Sequence, residues 1–320
     1  MATSAGRITL WGVEVFVATA EEASISAAAR RLDTSPATVS QQLTNLEGAI
    51  GSTLLNRGAR PISLTPAGEM FLRRANAILN EADQARAELA QADLSRLTRF
   101  RLGMIEDFDA DVTPRLLTRM ADDLRQCQFL LETGASHRLH DLLDARALDM
   151  IVATDMGTTG EEMEIRPLLQ EPFVVAVAKG VIGPGDTLRQ LRRLPLIQYT
   201  TRHYMGRLVA AHLARQNIAL THRFELDSYH AIMAMVAAGA GWTILTPLGW
   251  MRAQRFRDKA EILPLPFDPL IRTIALTSRR GILGEMPAQV EAHMKGLLNE
   301  MIVGPALQEH PWLRDQLILH

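Results

Sequence analysis

One cysteine, Cys127, stands in the 320 residues, so no disulfide can form within the chain. A lone thiol fits a reducing compartment and leaves a redox relay without a resolving partner. Lysine is nearly absent, with three residues against 31 arginines, a bias we attribute to genome composition rather than to function. No run of about 18 apolar residues occurs, so no membrane-spanning helix is expected. The opening residues, MATSAGRITLWGVEVF, lack the basic stretch and long apolar core of a secretory leader, so a cytoplasmic location is expected. Neither sign of charge dominates: the net charge is −2, and residues 1–64 hold five arginines and five acids. Phosphate contacts supply much of the affinity of a nucleic-acid binder. Here only the placement of arginines can provide them. Catalytic signatures are missing too. There is no Gly-x-Ser-x-Gly, no phosphate-binding glycine loop and no His-Glu-x-x-His, so no enzyme is expected. His137 and His140 are spaced for a metal pair on one helix, but no third ligand is evident.

What remains is a globular composition, 47% hydrophobic and 22% charged, on a chain long enough for two or three domains. Residues 35–47, SPATVSQQLTNLE, carry helix signals: Ser35 suits an N-cap and Pro36 the first helical position. Val39, Leu43, Leu46 and Ile50 fall within about 40° of one another at helical spacing, a narrow stripe for a core. Thr38, Gln41, Gln42 and Asn45 share another face with no charge on it. Amides and hydroxyls both donate and accept, which is what base edges in a major groove call for. An ordinary surface helix would show the same periodicity. The neighbourhood favours the first reading. LWGVEVFVATAEE (10–22) and SISAAARRL (24–32) predict two helices, and Asp33-Thr34 a tight turn into the uncharged one. That is a helix-turn-helix layout. Arg30, Arg31, Arg57 and Arg60 cluster around it, while Glu14, Glu21 and Glu22 lie in the first helix. GSTLLNRGARPISLT predicts a hairpin, a wing with Arg57 and Arg60 at its turn. From Thr65 a long amphipathic helix follows, whose length after so small a domain suits a dimerisation rod. Beyond residue 99, strands and helices alternate, the pattern of an α/β sheet. The segment GPALQEHPWLRDQLILH is left without an assigned element.

The order of these parts resembles the LysR-type transcriptional regulators over nearly the whole chain. FVATAEEASISAAARRL, SPATVSQQLTNLEGAIGSTLLNR and the lead-in Leu64-Thr65-Pro66-Ala67-Gly68 carry the N-terminal likeness. DSYHAIMAMVAAGAGWTILTP carries a looser one late in the chain. The resemblance implies a winged helix-turn-helix over 1–64, a linker helix over 65–94, and an effector domain over 99–303 of the periplasmic-binding-protein (type 2) kind, with 304–320 as a tail. Its two α/β subdomains would be about 99–168 with 273–303, and 169–272. It implies double-stranded promoter DNA, a small-molecule co-inducer and the chain itself, as dimer and tetramer, as partners. RNA polymerase is a further candidate, and no other cofactor is implied. Pro36, Ala37, Gln41 and Gln42 would face bases or nearby phosphates, Ser40 a phosphate and Arg60 the minor groove. Arg57 would support the wing or bind phosphate. Relatives often carry glutamine at Pro36 and arginine at Gln41, and both departures remove a strong contact.

In the implied cleft, the candidates are Asp107, Phe108, Ser136, Thr200, Thr201, Arg202, His203, Tyr204, Asp227, Ser228 and Trp242. The bland alternatives are helix caps for Asp107, Asp109, Ser136 and Ser228, a solvated loop for Arg202 and a core position for Trp242. Arg202 and His203 suit an anionic group, whereas Glu106 and Asp107 suit an amine or hydroxyl. A small polar metabolite, zwitterionic in the extreme, is the expected effector. The competing expectation is a regulator that is ligand-independent or redox-modulated through Cys127.

Overall fold

In the computed structural model the described residues are 7–89, 99–125, 127–157 and 160–320. The chain divides into two compact units, residues 1–93 with 144–147, and residues 94–143 with 148–320. In the first, α1 (Leu10–Glu22), α2 (Ile25–Arg31) and α3 (Pro36–Ile50) each start on a hydroxyl cap. Thr9 accepts from Gly12 N–H, Ser24 from Ala27 N–H and Ser35 from Thr38 N–H. Gly51 ends α3 at φ +76°, a left-handed turn that glycine adopts without strain. The wing is short: β1 (Leu55–Asn56) pairs antiparallel with β2 (Ser63–Leu64). The long helix α4 (Pro66–Leu89) follows, about 36 Å at 1.5 Å per residue. The expected continuation to residue 94 lies outside the described residues. The N-terminal core joins Val13, Phe16, Val39, Leu43, Leu46, Leu54, Leu55 and Ala75, so the predicted stripe of the uncharged helix does face inward.

The second unit alternates strands and helices as the sequence pattern requires. In chain order it comprises β3 (Arg99–Ile105), α5 (Val112–Asp123), β4 (Gln128–Gly134), α6 (Ser136–Asp144), β5 (Met150–Thr154), β6 (Met163–Pro172), β7 (Val174–Ala178), α7 (Thr187–Leu191) and β8 (Leu196–Tyr199). It continues with α8 (Tyr204–Arg215), β9 (His222–Leu226), α9 (Tyr229–Ala237), β10 (Thr243–Leu245), α10 (Pro247–Arg252), β11 (Ala260–Pro264) and β12 (Ile271–Arg279). It ends with α11 (Met286–Leu298), α12 (Gly304–Glu309) and β13 (Ile318–Leu319). One sheet has six strands in the order β13-β6-β12-β5-β3-β4. The other subdomain joins the three strands β10-β7-β11 to the parallel pair β8-β9 through a bridge between Leu196 and Trp242. The two long strands β6 and β12 pair from Met163↔Arg279 to Pro172↔Ile271. The expected subdomain borders, at 168/169 and 272/273, fall inside this ladder, which runs on to Pro172 and Ile271.

The sequence reading overlooks β6, α7, α10 and β11. In β6 the reason is local. Pro167 and Leu168 break the alternation at a bulge, where the partner strand steps from Ile274 to Ala275, and proline in a strand is confined to such places. The segment 304–320 is no appendage. Leu313 and Leu317 are buried in the core, and β13 pairs with β6 through Ile318↔Gln170 and Leu319↔Leu169. Among the described residues, no helix is long and apolar enough to cross a membrane.

If the segment is integral, Leu313→Ala should lower stability by about 2–5 kcal/mol, the usual cost of emptying a buried leucine site. Urea unfolding followed by tryptophan fluorescence measures this. A loss below about 1 kcal/mol would show that the segment contributes little to this unit.

Candidate functional site

Helix α3 separates its two faces cleanly. Val39, Leu43 and Leu46 are buried, while Ser35, Pro36, Ala37, Thr38, Gln41 and Asn45 are exposed. The exposed amides are ordered by one another: Gln41 Nε2–H donates to Asn45 Oδ1 at 2.9 Å. The Ser35 and Thr38 hydroxyls lie 2.8 Å apart at the helix start. Ser40 and Gln42 are half-buried, and Gln42 leans toward Gly12 of α1, where an added Cβ would lie 3.9 Å from its Oε1.

The arginines divide into two groups. Arg30 and Arg60 are exposed, the latter between the wing strands. Arg31 is not a free cation for phosphate: its guanidinium lies 2.7 Å from Glu21 and 3.3 Å from Glu22. Two acids of the first helix, Glu21 and Glu22, which the sequence places apart from the arginine cluster, thus meet one member of it. Arg57 is likewise engaged, with Glu47 at 2.5 Å and Thr44 Oγ1 at 3.1 Å. Of the two roles implied for Arg57, the structure therefore provides wing support. Glu47 completes the brace by accepting from Leu54 N–H at 2.7 Å and Leu55 N–H at 3.2 Å.

In the second unit a small recess of about 40 Å³ opens among Asp107, Ser136, Tyr199, His203, Tyr229 and Arg272. That volume holds a few waters or a ligand of few atoms. Arg272, on β12, faces Glu171 across the β6 ladder. Its side chain is 3% exposed and Glu171 is fully buried. Arg272 also donates to Asp107 Oδ2 at 2.9 Å, Thr246 Oγ1 at 3.3 Å, Thr154 Oγ1 at 3.4 Å and Met205 Sδ at 3.2 Å. Leu248 N–H donates to Glu171 at 3.0 Å. Burial pushes the Glu171 carboxyl above its usual range, with Arg272 opposing. Burial also works against the Arg272 charge, but Glu171 and Asp107 outweigh it and the pKa rises. Tyr199 and Tyr229 stack with centroids 4.9 Å apart. The Tyr199 hydroxyl meets His203 Nδ1 at 3.2 Å, whereas the Tyr229 hydroxyl is buried without a hydrogen-bond partner.

Asp107, Ser136, His203 and Tyr204 thus line the recess. Asp107 caps no helix; it is the counter-ion of Arg272. Asp109 is an ion-pair partner as well, 2.8 Å from Arg252. Ser136 opens α6 and accepts from Thr154 N–H at 3.2 Å. The other candidates lie elsewhere. Phe108 and Trp242 are fully buried, each in a hydrophobic core cluster. Thr200 is buried and donates to Glu225 at 2.7 Å, and Thr201 N–H donates to the same carboxylate. Arg202 is 79% exposed and 3.7 Å from Asp227, so that pair belongs to the surface. Ser228 caps α9. Arg272, Glu171, Thr246, Tyr199 and Tyr229 were missed. They come from five separate elements, β12, β6, the cap of α10, β8 and α9, and the only local signal was an arginine inside the predicted strand IRTIALTSR.

The histidine pair does not act together. His140 Nε2 is 3.0 Å from the Thr154 carbonyl, and the His137 ring lies 5.7 Å from that of His203. Among the described residues, no cluster of three His, Cys, Asp or Glu side chains is placed for a metal. Cys127 is half-buried. Burial, with the Asp149 charge adding to it, pushes its thiol up to about 11.

A winged helix-turn-helix with a charge-free polar face, and a separate two-subdomain α/β unit with a recess at its strand ends, define a class of ligand-responsive DNA-binding regulators. Residues 10–69 match the bacterial regulatory helix-turn-helix proteins of the lysR family, and residues 95–294 match the LysR substrate binding domain. The chain belongs to the LysR family of transcriptional regulators, a family of regulators rather than enzymes. It is 32% identical over 196 residues to a probable hydrogen peroxide-inducible genes activator of Mycobacterium xenopi, covering 61% of this chain and all of that one. It is 25% identical over 272 residues to the DNA-binding transcriptional dual regulator OxyR of Escherichia coli K12, covering 84% and 88%. Its fold is similar to a cysteine variant of full-length OxyR from Pseudomonas aeruginosa, with a TM-score of 0.67 at 23% identity over 90% of this chain and 98% of that one.

Two expectations follow. Glu47→Gln should loosen the wing, lowering stability of the N-terminal unit by about 1–3 kcal/mol through the two amides and Arg57 it leaves poorly paired. Thermal melting checks it, and an unchanged midpoint would mean that the brace is dispensable. Cys127 should alkylate slowly at neutral pH, carrying roughly 300-fold less thiolate than a free cysteine of pKa about 8.5. Its labelling rate should keep rising toward pH 11; a plateau by about pH 9 would contradict the burial argument.

Proposed function

We propose that this LysR-type regulator reads double-stranded promoter DNA with α3 in the major groove and Arg60 in the adjacent minor groove. It acts in the cytoplasm as a dimer held through α4, two dimers forming a tetramer. A small polar metabolite in the recess around Asp107 and Arg272 sets its activity. The observation that carries the DNA reading is the face of α3: exposed hydroxyls and amides, no charge, over a buried apolar stripe. Arg31 and Arg57 are engaged by acids, so few cations remain for phosphates and more of the discrimination falls to base edges.

A second reading follows from the relatives, several of which are named as activators of hydrogen peroxide-inducible genes. A thiol-based response in this chain would have to use Cys127. No second thiol is present to resolve it, and its high pKa keeps the nucleophilic thiolate scarce. The metabolite reading is therefore preferred.

A salt-titrated binding assay against the upstream region of the chain's own gene tests the proposal. Arg60→Ala should weaken binding to all sequences and reduce the salt slope by about one. Gln41→Ala should narrow the gap between specific and random DNA by about 1–3 kcal/mol. Equal, weak binding of the unaltered protein to specific and random DNA would sink the reading.

A further inference from the structure

The recess is built around an anion of its own. Arg272 is the only arginine or lysine among the described residues lining it, and a guanidinium has five N–H groups to give. Those of Arg272 go to Glu171, Asp107, Thr246, Thr154 and the Met205 sulfur. A ligand carboxylate would have to evict Asp107, which is itself 8% exposed and would lose its counter-ion. Charge points the same way. Glu106 and Asp107 line the recess against Arg272 and His203; Asp109 pairs with Arg252 and Glu171 with Arg272, and the Arg207 guanidinium on the His203 side is held by the Thr201 and Arg202 carbonyls. Arg252 is already held by Asp109 and the Glu106 carbonyl.

Two acceptors remain open. Asp107 Oδ2 receives Arg272, but Oδ1 is 3.9 Å from Arg252 Nη1, beyond hydrogen-bond reach. The Tyr229 oxygen is buried and unpartnered in the same recess, a state that costs free energy until a partner arrives. Tyr199 and Tyr229, stacked on each other, both line the recess. The Tyr199 phenol registers the local field: burial raises its pKa most, and Asp107, Glu106 and Asp227 raise it further against Arg272.

We propose that the recess binds a small primary ammonium group, set between the Asp107 carboxylate and the Tyr229 hydroxyl, and that Asp107 is the residue that excludes carboxylates. The proposal rests on the reading of this recess as the effector site, and it names the chemistry of the effector. The volume of about 40 Å³ restricts the buried part of the ligand to a few heavy atoms.

Titration calorimetry of the full chain with ethylammonium, propionate and propionamide tests it. Ethylammonium should bind, and the other two should bind at least about tenfold more weakly, as expected when a charged hydrogen bond is missing. Asp107→Asn should lose ethylammonium and gain propionate, because it frees Arg272; a merely structural role for Asp107 would not invert the preference. Tyr229→Phe, which removes one oxygen from the recess, should weaken ethylammonium about three- to tenfold. If Asp107→Asn fails to fold, the probe series on the unaltered protein and on Tyr229→Phe still decides. Preference for propionate by the unaltered protein overturns the ammonium assignment, as does the absence of ethylammonium binding at millimolar concentration. Ala135→Phe, which fills the recess, separates the two levels. If ethylammonium binds and Ala135→Phe leaves its binding intact, the recess is not the site and the underlying reading fails as well.

Discussion

Arg272 holds the second unit's architecture in register. It stands on the returning strand, directly opposite Glu171 on the outgoing one, where the two long strands pass between subdomains. Through Asp107 it holds the end of the first strand, and through Thr246 and the Glu171–Leu248 contact it holds the start of α10. Removing one partner of such a buried ion pair costs about 3–5 kcal/mol, because an uncompensated charge remains, whereas replacing the whole set by apolar groups is often neutral. The cluster is therefore better understood as a device for specificity than as a source of stability. It fixes which strand ends meet, and it fixes the charge that any ligand encounters.

The N-terminal unit depends on a similar economy of charge. The five arginines and five acids of residues 1–64 cancel in the sequence, and the fold makes part of that cancellation local. Glu21 and Glu22 neutralise Arg31, and Glu47 neutralises Arg57 while tying two wing amides to α3. Steering by a broad positive field, which speeds the encounter of many DNA binders, is correspondingly weak here. Recognition then leans on close-range geometry, and the wing's rigidity matters more than its net charge.

The elements with strong local signals were legible in the sequence. Ser35-Pro36 announces the start of α3, the 3.6-residue stripe of Val39, Leu43 and Leu46 gives its buried face, and alternating strands and helices give the α/β class. The lining of the recess was legible only where a strand end and the following helix are neighbours in sequence, as at Asp107, Ser136 and His203. Phe108 and Trp242 went astray because position near a strand end does not say which way a side chain turns. Thr200 and Arg202 lie outside the recess because Glu225 and Asp227, on the parallel neighbour strand and its end, engage them instead. The Arg272 cluster was hidden for a different reason: its members are as much as 165 residues apart, and no spacing rule joins them.

Gly68 has a mechanical consequence. A side-chain carbon there would lie 2.0 Å from the Leu54 carbonyl oxygen, which itself accepts from Thr65 N–H at 3.0 Å. The base of the wing and the first turn of α4 are therefore pressed together with no room for a single methyl group. Close-packed contacts of this kind transmit displacement instead of absorbing it. Any side chain at residue 68 would have to part the wing from the long helix before it could be accommodated.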